Sequence, residues 1–191
     1  MTETIRAFIA VPLPLNVIKE IGALQSELKD NGFKIRWVKP SNIHLTLKFL
    51  GDTAADKITA IEQALNTATA SHGPLTLAAK GIGVFPGVRK PRVIWVGLSG
   101  QTQRLRDLHQ SVESALHQVG FAIDKRKFKS HLTLGRVKGH IDPERLIKAM
   151  QSCSHFGSES FSANRIHLYQ SRLAPAGAVY TKLLDVPLRA A

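Results

Sequence analysis

Apolar residues recur along the chain at two different periods, and the switches between them divide it into helices and strands. Ile18, Ile21, Leu24 and Leu28 fall at helical spacing and end near Asn31-Gly32, predicting a first helix. Ile58, Ile61 and Leu65 predict a second, with Thr53 and Asp56 spaced as a capping box at its start. Leu105, Leu108, Val112, Leu116 and Val119 predict a third, stopped by Gly120. Asp142-Pro143, a cap residue followed by proline in the first turn, opens a fourth that carries Leu146, Ile147 and Met150 on one face. Strand-like runs lie near residues 5–11, 43–50, 75–85, 92–98, 129–136, 161–169 and 178–186.

After the first strand the order is helix, strand, helix, strand, strand, and then the same five elements again. The repeat extends to residues. Gly32-Phe33-Lys34-Ile35 is echoed by Gly120-Phe121-Ala122-Ile123, and the tetrapeptide HLTL stands at both 44–47 and 131–134. An internal duplication follows, with each half expected to form one of two similar lobes. Strands paired through short connections at 75–98 and 161–186 are antiparallel, so the expected class is α+β and not a doubly wound parallel sheet. No linker or low-complexity segment separates the halves, so residues 1–191 are expected to be a single domain of two pseudo-symmetric lobes.

With 191 residues, 43% of them apolar, the chain can bury a full core, which excludes an intrinsically disordered protein. The single cysteine, Cys153, cannot form an internal disulfide and reads as a buried thiol in the fourth helix. No Cys/His group has metal-site spacing, so neither a metal nor another cofactor is expected. Glu3, Pro12 and Pro14 interrupt the apolar start, which reads as a strand and not as a signal peptide. No run approaches the roughly 20 apolar residues of a membrane helix. A cytoplasmic protein, monomeric and free of membrane, is the expectation. Lys and Arg outnumber Asp and Glu by 26 to 14, a balance that attracts polyanions, with RNA the leading partner. Lys125, Arg126, Lys127 and Lys129 cluster just before His131, and Arg89, Lys90 and Arg92 form a second group.

Alternation assigns faces around the repeated tetrapeptide. In a strand, residues two apart share a side, so His44, Thr46 and Lys48 project together while Leu45, Leu47 and Phe49 project into the core. His131 and Thr133 stand on the corresponding face of the second copy, opposite Leu132 and Leu134. Two lobes related by a pseudo-two-fold would turn these faces toward each other, making a cleft with two imidazoles and two hydroxyls. Such a set suits in-line displacement at phosphorus. A neutral histidine takes a proton from water while a charged one gives a proton to the leaving oxygen. Threonine hydroxyls and a nearby cation stabilise the phosphoryl oxygens. Arg136 is that cation, provided the strand bends or bulges at Gly135, since strict alternation would turn it away. Lys48 could also reach a phosphate.

These residues resemble the 2H phosphoesterase superfamily, in particular the bacterial and archaeal RNA 2′,3′-cyclic phosphodiesterases once named 2′-5′ RNA ligases. RWVKPSNIHLTLKFLG at 36–51 is similar to the family's first motif region, KSHLTLGR at 129–136 to its second, and GVFPGVRKPRVIWVG at 83–97 to its middle hairpin. Tyr169, Ser171, Leu173, Pro175, Gly177 and Tyr180 match its carboxy-terminal pattern. The resemblance implies a bilobal α+β fold, two antiparallel sheets flanked by helices around a central cleft. It also implies metal-independent conversion of a terminal 2′,3′-cyclic phosphate to a 2′-phosphate, on a tRNA-like or oligonucleotide end. Carried onto this chain, His44 would donate the proton to the 3′ oxygen and His131 would activate water. Thr46 and Thr133 would hold the phosphoryl oxygens, with Arg136 assisting, and Ser171 would add a hydroxyl. Trp37, Phe85 and Tyr169 are candidates for stacking on a terminal base. Reversible 2′-5′ joining of RNA ends and non-catalytic binding of an RNA end are the competing readings.

Overall fold

The computed structural model describes residues 3–175 and 177–189. In chain order it contains β1 (Thr4–Val11), α1 (Leu15–Lys29), β2 (Ile35–Trp37), β3 (Leu45–Ala54), α2 (Ile58–Thr69), β4 (Leu75–Phe85) and β5 (Val93–Gly100). There follow α3 (Thr102–Gln118), β6 (Leu132–Val137), α4 (Pro143–Ser152), β7 (Phe161–Ala163), β8 (Arg165–Ala174) and β9 (Gly177–Pro187). The helices bury most of the stripes that their spacing predicts: Ile21, Leu24 and Leu28 on α1, where Val17 is buried and Ile18 only partly so, Ile61 and Leu65 on α2, Leu105, Leu108, Val112 and Leu116 on α3, and Leu146 on α4, where Ile147 is exposed instead. Asp142 caps α4 by accepting from the Arg145 amide at 2.9 Å. Thr53 does not cap α2. It is buried inside β3, and α2 begins only after the single 3-10 turn Ala55–Lys57, without a side-chain cap. With three residues, β2 is too short for alternation to reveal.

Every strand pair is antiparallel, and the strands run in the order β7-β4-β5-β6-β3-β1-β8-β9, with β2 also pairing with β6. The two expected sheets are thus two wings of one nine-stranded sheet. They join through one registered pair, Leu45 opposite Leu132, both fully buried. The halves of the chain are also exchanged. Hairpin β4-β5, which follows β3 in sequence, pairs with β6; hairpin β8-β9, which follows β6, pairs with β1 beside β3. β6 therefore sits directly beside a hairpin from the first half, β3 is joined to the second half's hairpin through β1, and neither half closes a wing by itself.

The same irregularity follows the threonine in both copies. Against β1, Thr46 pairs with Ala10 and Lys48 with Ile9, so Leu47 is an extra residue. Against β5, Thr133 pairs with Trp95 and Gly135 with Ile94, so Leu134 is extra. A bulge inverts alternation beyond it. Arg136 is thereby returned to the cleft face, with the bulge one residue before the expected Gly135. The corresponding bulge in β3 overturns two expectations. Phe49 is not core but 64% exposed on the cleft side. Lys48 turns away from His44 and is 6% exposed, its ammonium 2.6 Å from Glu113 Oε2 and donating to the Ala122 carbonyl at 2.8 Å. It is not available to hold a phosphate.

Gly135 and Lys48, each four residues after its histidine, solve one packing problem in two ways. A Cβ at Gly135 would lie 2.5 Å from Ile35 Cγ2, so glycine is what lets β2 come against β6. In the other copy the Lys48 side chain fills that space and ties down residues 122–124, where Glu113 also accepts from the Asp124 amide at 3.1 Å. A buried ion pair broken on one side leaves an uncompensated charge. Lys48→Met is therefore expected to cost about 3–5 kcal/mol in urea denaturation, and adding Glu113→Leu should restore part of it. A loss under about 1 kcal/mol for Lys48→Met would show that the pair is not structural.

Candidate active site

The Leu45–Leu132 pair sets the site. In an antiparallel register, one step either way from that pair brings His44 beside Thr133 and Thr46 beside His131, with side chains on the face opposite the leucines. Both histidines and both threonines are half-buried there. A cavity of about 470 Å³ is bordered by His44, Thr46, Thr133, Arg136 and Ser171, and a second of about 790 Å³ by Thr46, Phe49, Phe85 and His131. Thr46 borders both, so the two motifs open on adjoining spaces.

Each imidazole is held in the same way. His44 Nδ1 lies 2.7 Å from the Asn42 carbonyl, and His131 Nδ1 lies 2.7 Å from the Lys129 carbonyl, two residues upstream in both copies. A carbonyl only accepts, so Nδ1 carries the hydrogen in each ring and Nε2 is left as the nitrogen that gains or loses a proton. Among the described residues neither histidine bonds its own threonine; the local strand contact that would make the motif merely structural is absent.

Aromatic rings fix the imidazole planes. His44 stacks on Phe8 of β1 at 4.7 Å and meets the edge of Tyr180 of β9 at 5.3 Å. His131 meets Phe85 of β4 edge-on at 5.0 Å, and Phe85 stacks on Trp95 of β5 at 4.9 Å. Burial among these rings lowers the pKa of His44 from the ordinary 6.5, with the Asn42 hydrogen bond opposing the shift.

Other expected site residues fall at varying distance from this centre. Ser171 lines the His44 cavity. Tyr169 stands behind Phe8, ring centroids 5.3 Å apart, with its hydroxyl 2.8 Å from His167 Nδ1, so it supports the ring on which His44 rests. Phe85 lies beside His131, while Trp37 packs near Arg36 and Arg136 with Lys29 over its ring at 5.8 Å. Sequence reasoning missed Phe8 and Phe49 as lining residues, and also Arg6 and Arg36, which border the same cavity as His44. Phe8 sits in an apolar run that reads as core, and Phe49 is disguised by the bulge. Cys153 is buried at the end of α4, and burial raises its thiol pKa. No helix of the described residues is long and apolar enough to cross a membrane.

A family model described as LigT-like phosphoesterase matches residues 11–95 and again 96–180. The chain is 32% identical over 179 residues to an RNA 2′,3′-cyclic phosphodiesterase of Methanothermobacter thermautotrophicus, covering 94% of this chain and 96% of that one. It is 35% identical over 182 residues to an RNA 2′,3′-cyclic phosphodiesterase of Archaeoglobus fulgidus, covering 93% and 97%. A crystal structure of a Thermus thermophilus protein shares the fold, with a TM-score of 0.80 at 24% identity over 97% of this chain and 98% of that one.

The shielding of His44 makes a measurable pair of claims. In an NMR titration its ring should lose its proton at a pH below the ordinary 6.5, as the Nδ1–H tautomer, and Phe8→Ala, which admits water to the ring, should move the midpoint up. The sign for stability follows: a depressed folded-state pKa means that the unfolded chain binds more protons, so this contribution is complete above pH 6.5 and is lost as pH falls toward the His44 midpoint. A midpoint at or above 6.5 would contradict the burial argument.

Proposed function

The chain belongs to the LigT-like phosphoesterase family, and on that premise we propose that it hydrolyses the 2′,3′-cyclic phosphate at an RNA end to a 2′-phosphate, with two histidines as acid and base. The observation that carries this reading is the pair of equivalent imidazoles, each pinned through Nδ1 to a carbonyl and each leaving Nε2 for proton transfer. Water attacks phosphorus as His131 Nε2 takes its proton. The bond to the 3′ oxygen breaks as His44 Nε2 gives that oxygen a proton, leaving a 3′-hydroxyl and a 2′-phosphate monoester. Thr46, Thr133 and Arg136 stabilise the phosphoryl oxygens as charge moves onto them, with Ser171 at the edge of the same cavity. No step passes through a metal, because the imidazoles perform both proton transfers.

A lowered His44 pKa suits the acid role in one respect: once charged, the ring gives up its proton readily to the alkoxide that forms. A non-catalytic role would favour lysine or arginine at these positions, since counterion release needs cations that stay charged. A second reading, 2′-5′ joining of RNA ends, is favoured by the 790 Å³ space beside His131, which is far larger than a water molecule needs and could admit a 5′-hydroxyl in its place.

His44→Ala and His131→Ala should each lower kcat by roughly 10²–10⁴, with much smaller effects on RNA affinity, and the double variant should lose less than the product of the two. With a substrate whose 3′ leaving group no longer needs protonation, His44→Ala should be largely rescued and His131→Ala not. Rescue of the opposite variant would reverse the roles. In His131→Ala the surviving pH dependence should fall as pH rises through the depressed His44 pKa, because the acid must be charged; a rising limb would make His44 the base.

A further inference from the structure

The cavity on the His44 side holds more positive charge than one phosphate group calls for. Arg6, Arg36 and Arg136 all line it, and among the described residues no carboxylate does. Among the described residues none of the three forms an ion pair, although Arg6 stands opposite Asp52 in the register of β1 and β3. Arg36 and Arg136 are registered directly opposite each other across β2 and β6, an arrangement in which like charges repel unless an anion lies between or beside them. On the other wing, Arg6 lies two positions along β1 from Phe8 and on the same face, which carries it roughly 7 Å beyond the ring that backs His44. Arg136 and Arg6 both oppose the rise that burial gives the half-buried Tyr180 phenol, which lines the same cavity.

We propose that Arg6 and Arg36 form a second anion subsite that holds the phosphodiester one nucleotide upstream of the cyclic phosphate, so that the protein favours an oligonucleotide end over a mononucleotide. The inference rests on the phosphodiesterase reading above. In that reaction His44 protonates the 3′ oxygen, so the ribose lies on the His44 side of phosphorus, and the chain attached to its 5′ carbon leaves through this cavity. At about 470 Å³ the space has room for more than the reacting group. Arg136, in the same strand as Thr133, remains with the reacting phosphate, while Arg36, opposite it on β2, and Arg6, on β1, border the same cavity. The lysine-rich segment before His131 lies on the opposite side, where the nucleophile enters, and its Arg126 is already bound to Asp124 at 3.0 Å.

Three substrates test this: adenosine 2′,3′-cyclic phosphate, the adenylyl dinucleotide ending in a 2′,3′-cyclic phosphate, and the same dinucleotide with its internal linkage replaced by a neutral methylphosphonate. Hydrogen bonds to a charged acceptor are strong enough that the wild-type kcat/KM should favour the charged dinucleotide over the neutral one by about tenfold or more. In Arg6→Gln/Arg36→Gln that ratio should fall toward one, with the mononucleotide rate changing far less than the dinucleotide rate. Equal wild-type rates on the charged and neutral dinucleotides would overturn the subsite. So would an equal loss on all three substrates in a variant that keeps its melting temperature, which would place these arginines at the reacting phosphate. Absence of hydrolysis of all three by the wild type would instead overturn the phosphodiesterase reading itself, and the subsite with it.

Discussion

One backbone contact, the antiparallel pairing of Leu45 with Leu132, holds the site together. Among the described residues it is the only register that joins the two wings of the sheet, and both side chains are fully buried. Because alternation in a strand is strict, burying these leucines forces the neighbouring histidines and threonines onto the other face, where the wings open. The exchange of hairpins between the halves reinforces the contact, since each wing is completed only by strands from both halves of the chain. The placement of the two imidazoles is therefore set by the core, and their ring orientation by the carbonyls of Asn42 and Lys129 just before the strands.

On this symmetric frame the two copies have diverged in ways that matter for acid and base chemistry. The bulge after each threonine puts the fifth residue from the histidine on the cleft face: Phe49 in one copy and Arg136 in the other. The same step delivers Lys48 and Gly135 to the interior, where one makes a buried ion pair and the other admits a strand. His44, between Phe8 and Tyr180, is desolvated and its pKa falls. Desolvation makes the charged form of His44 scarcer, and that form, when present, gives its proton more readily to the leaving oxygen.

Much of this is legible in the sequence. The helices, the long strands and the α+β class follow from periodicity, because each element buries one stripe and exposes another. The paired tetrapeptides locate both histidines and both threonines, since two-residue alternation survives as far as the threonine. Beyond it, a bulge has no periodic signature. Alternation reaches Arg136 only if a bulge is assumed, and it misplaces Lys48 and Phe49 because it admits none in the first copy. Thr53 and Asp56 imitate a helix cap that the extended β3 displaces. Long-range exchange of hairpins leaves no trace in local pattern, and neither do Arg6 and Arg36, which meet at the cavity from strands in different wings.

In the proposed reaction two histidines, without a metal, direct water at phosphorus so that the bond to the 3′ oxygen is the one that breaks. Incubating the protein in EDTA with an RNA oligonucleotide carrying a terminal 2′,3′-cyclic phosphate, and locating the phosphate in the product, tests this most directly. Turnover unaffected by the chelator and a product carrying only a 2′-phosphate are the expected results. A 3′-phosphate product, or turnover that stops in EDTA and returns with a divalent ion, would contradict the mechanism.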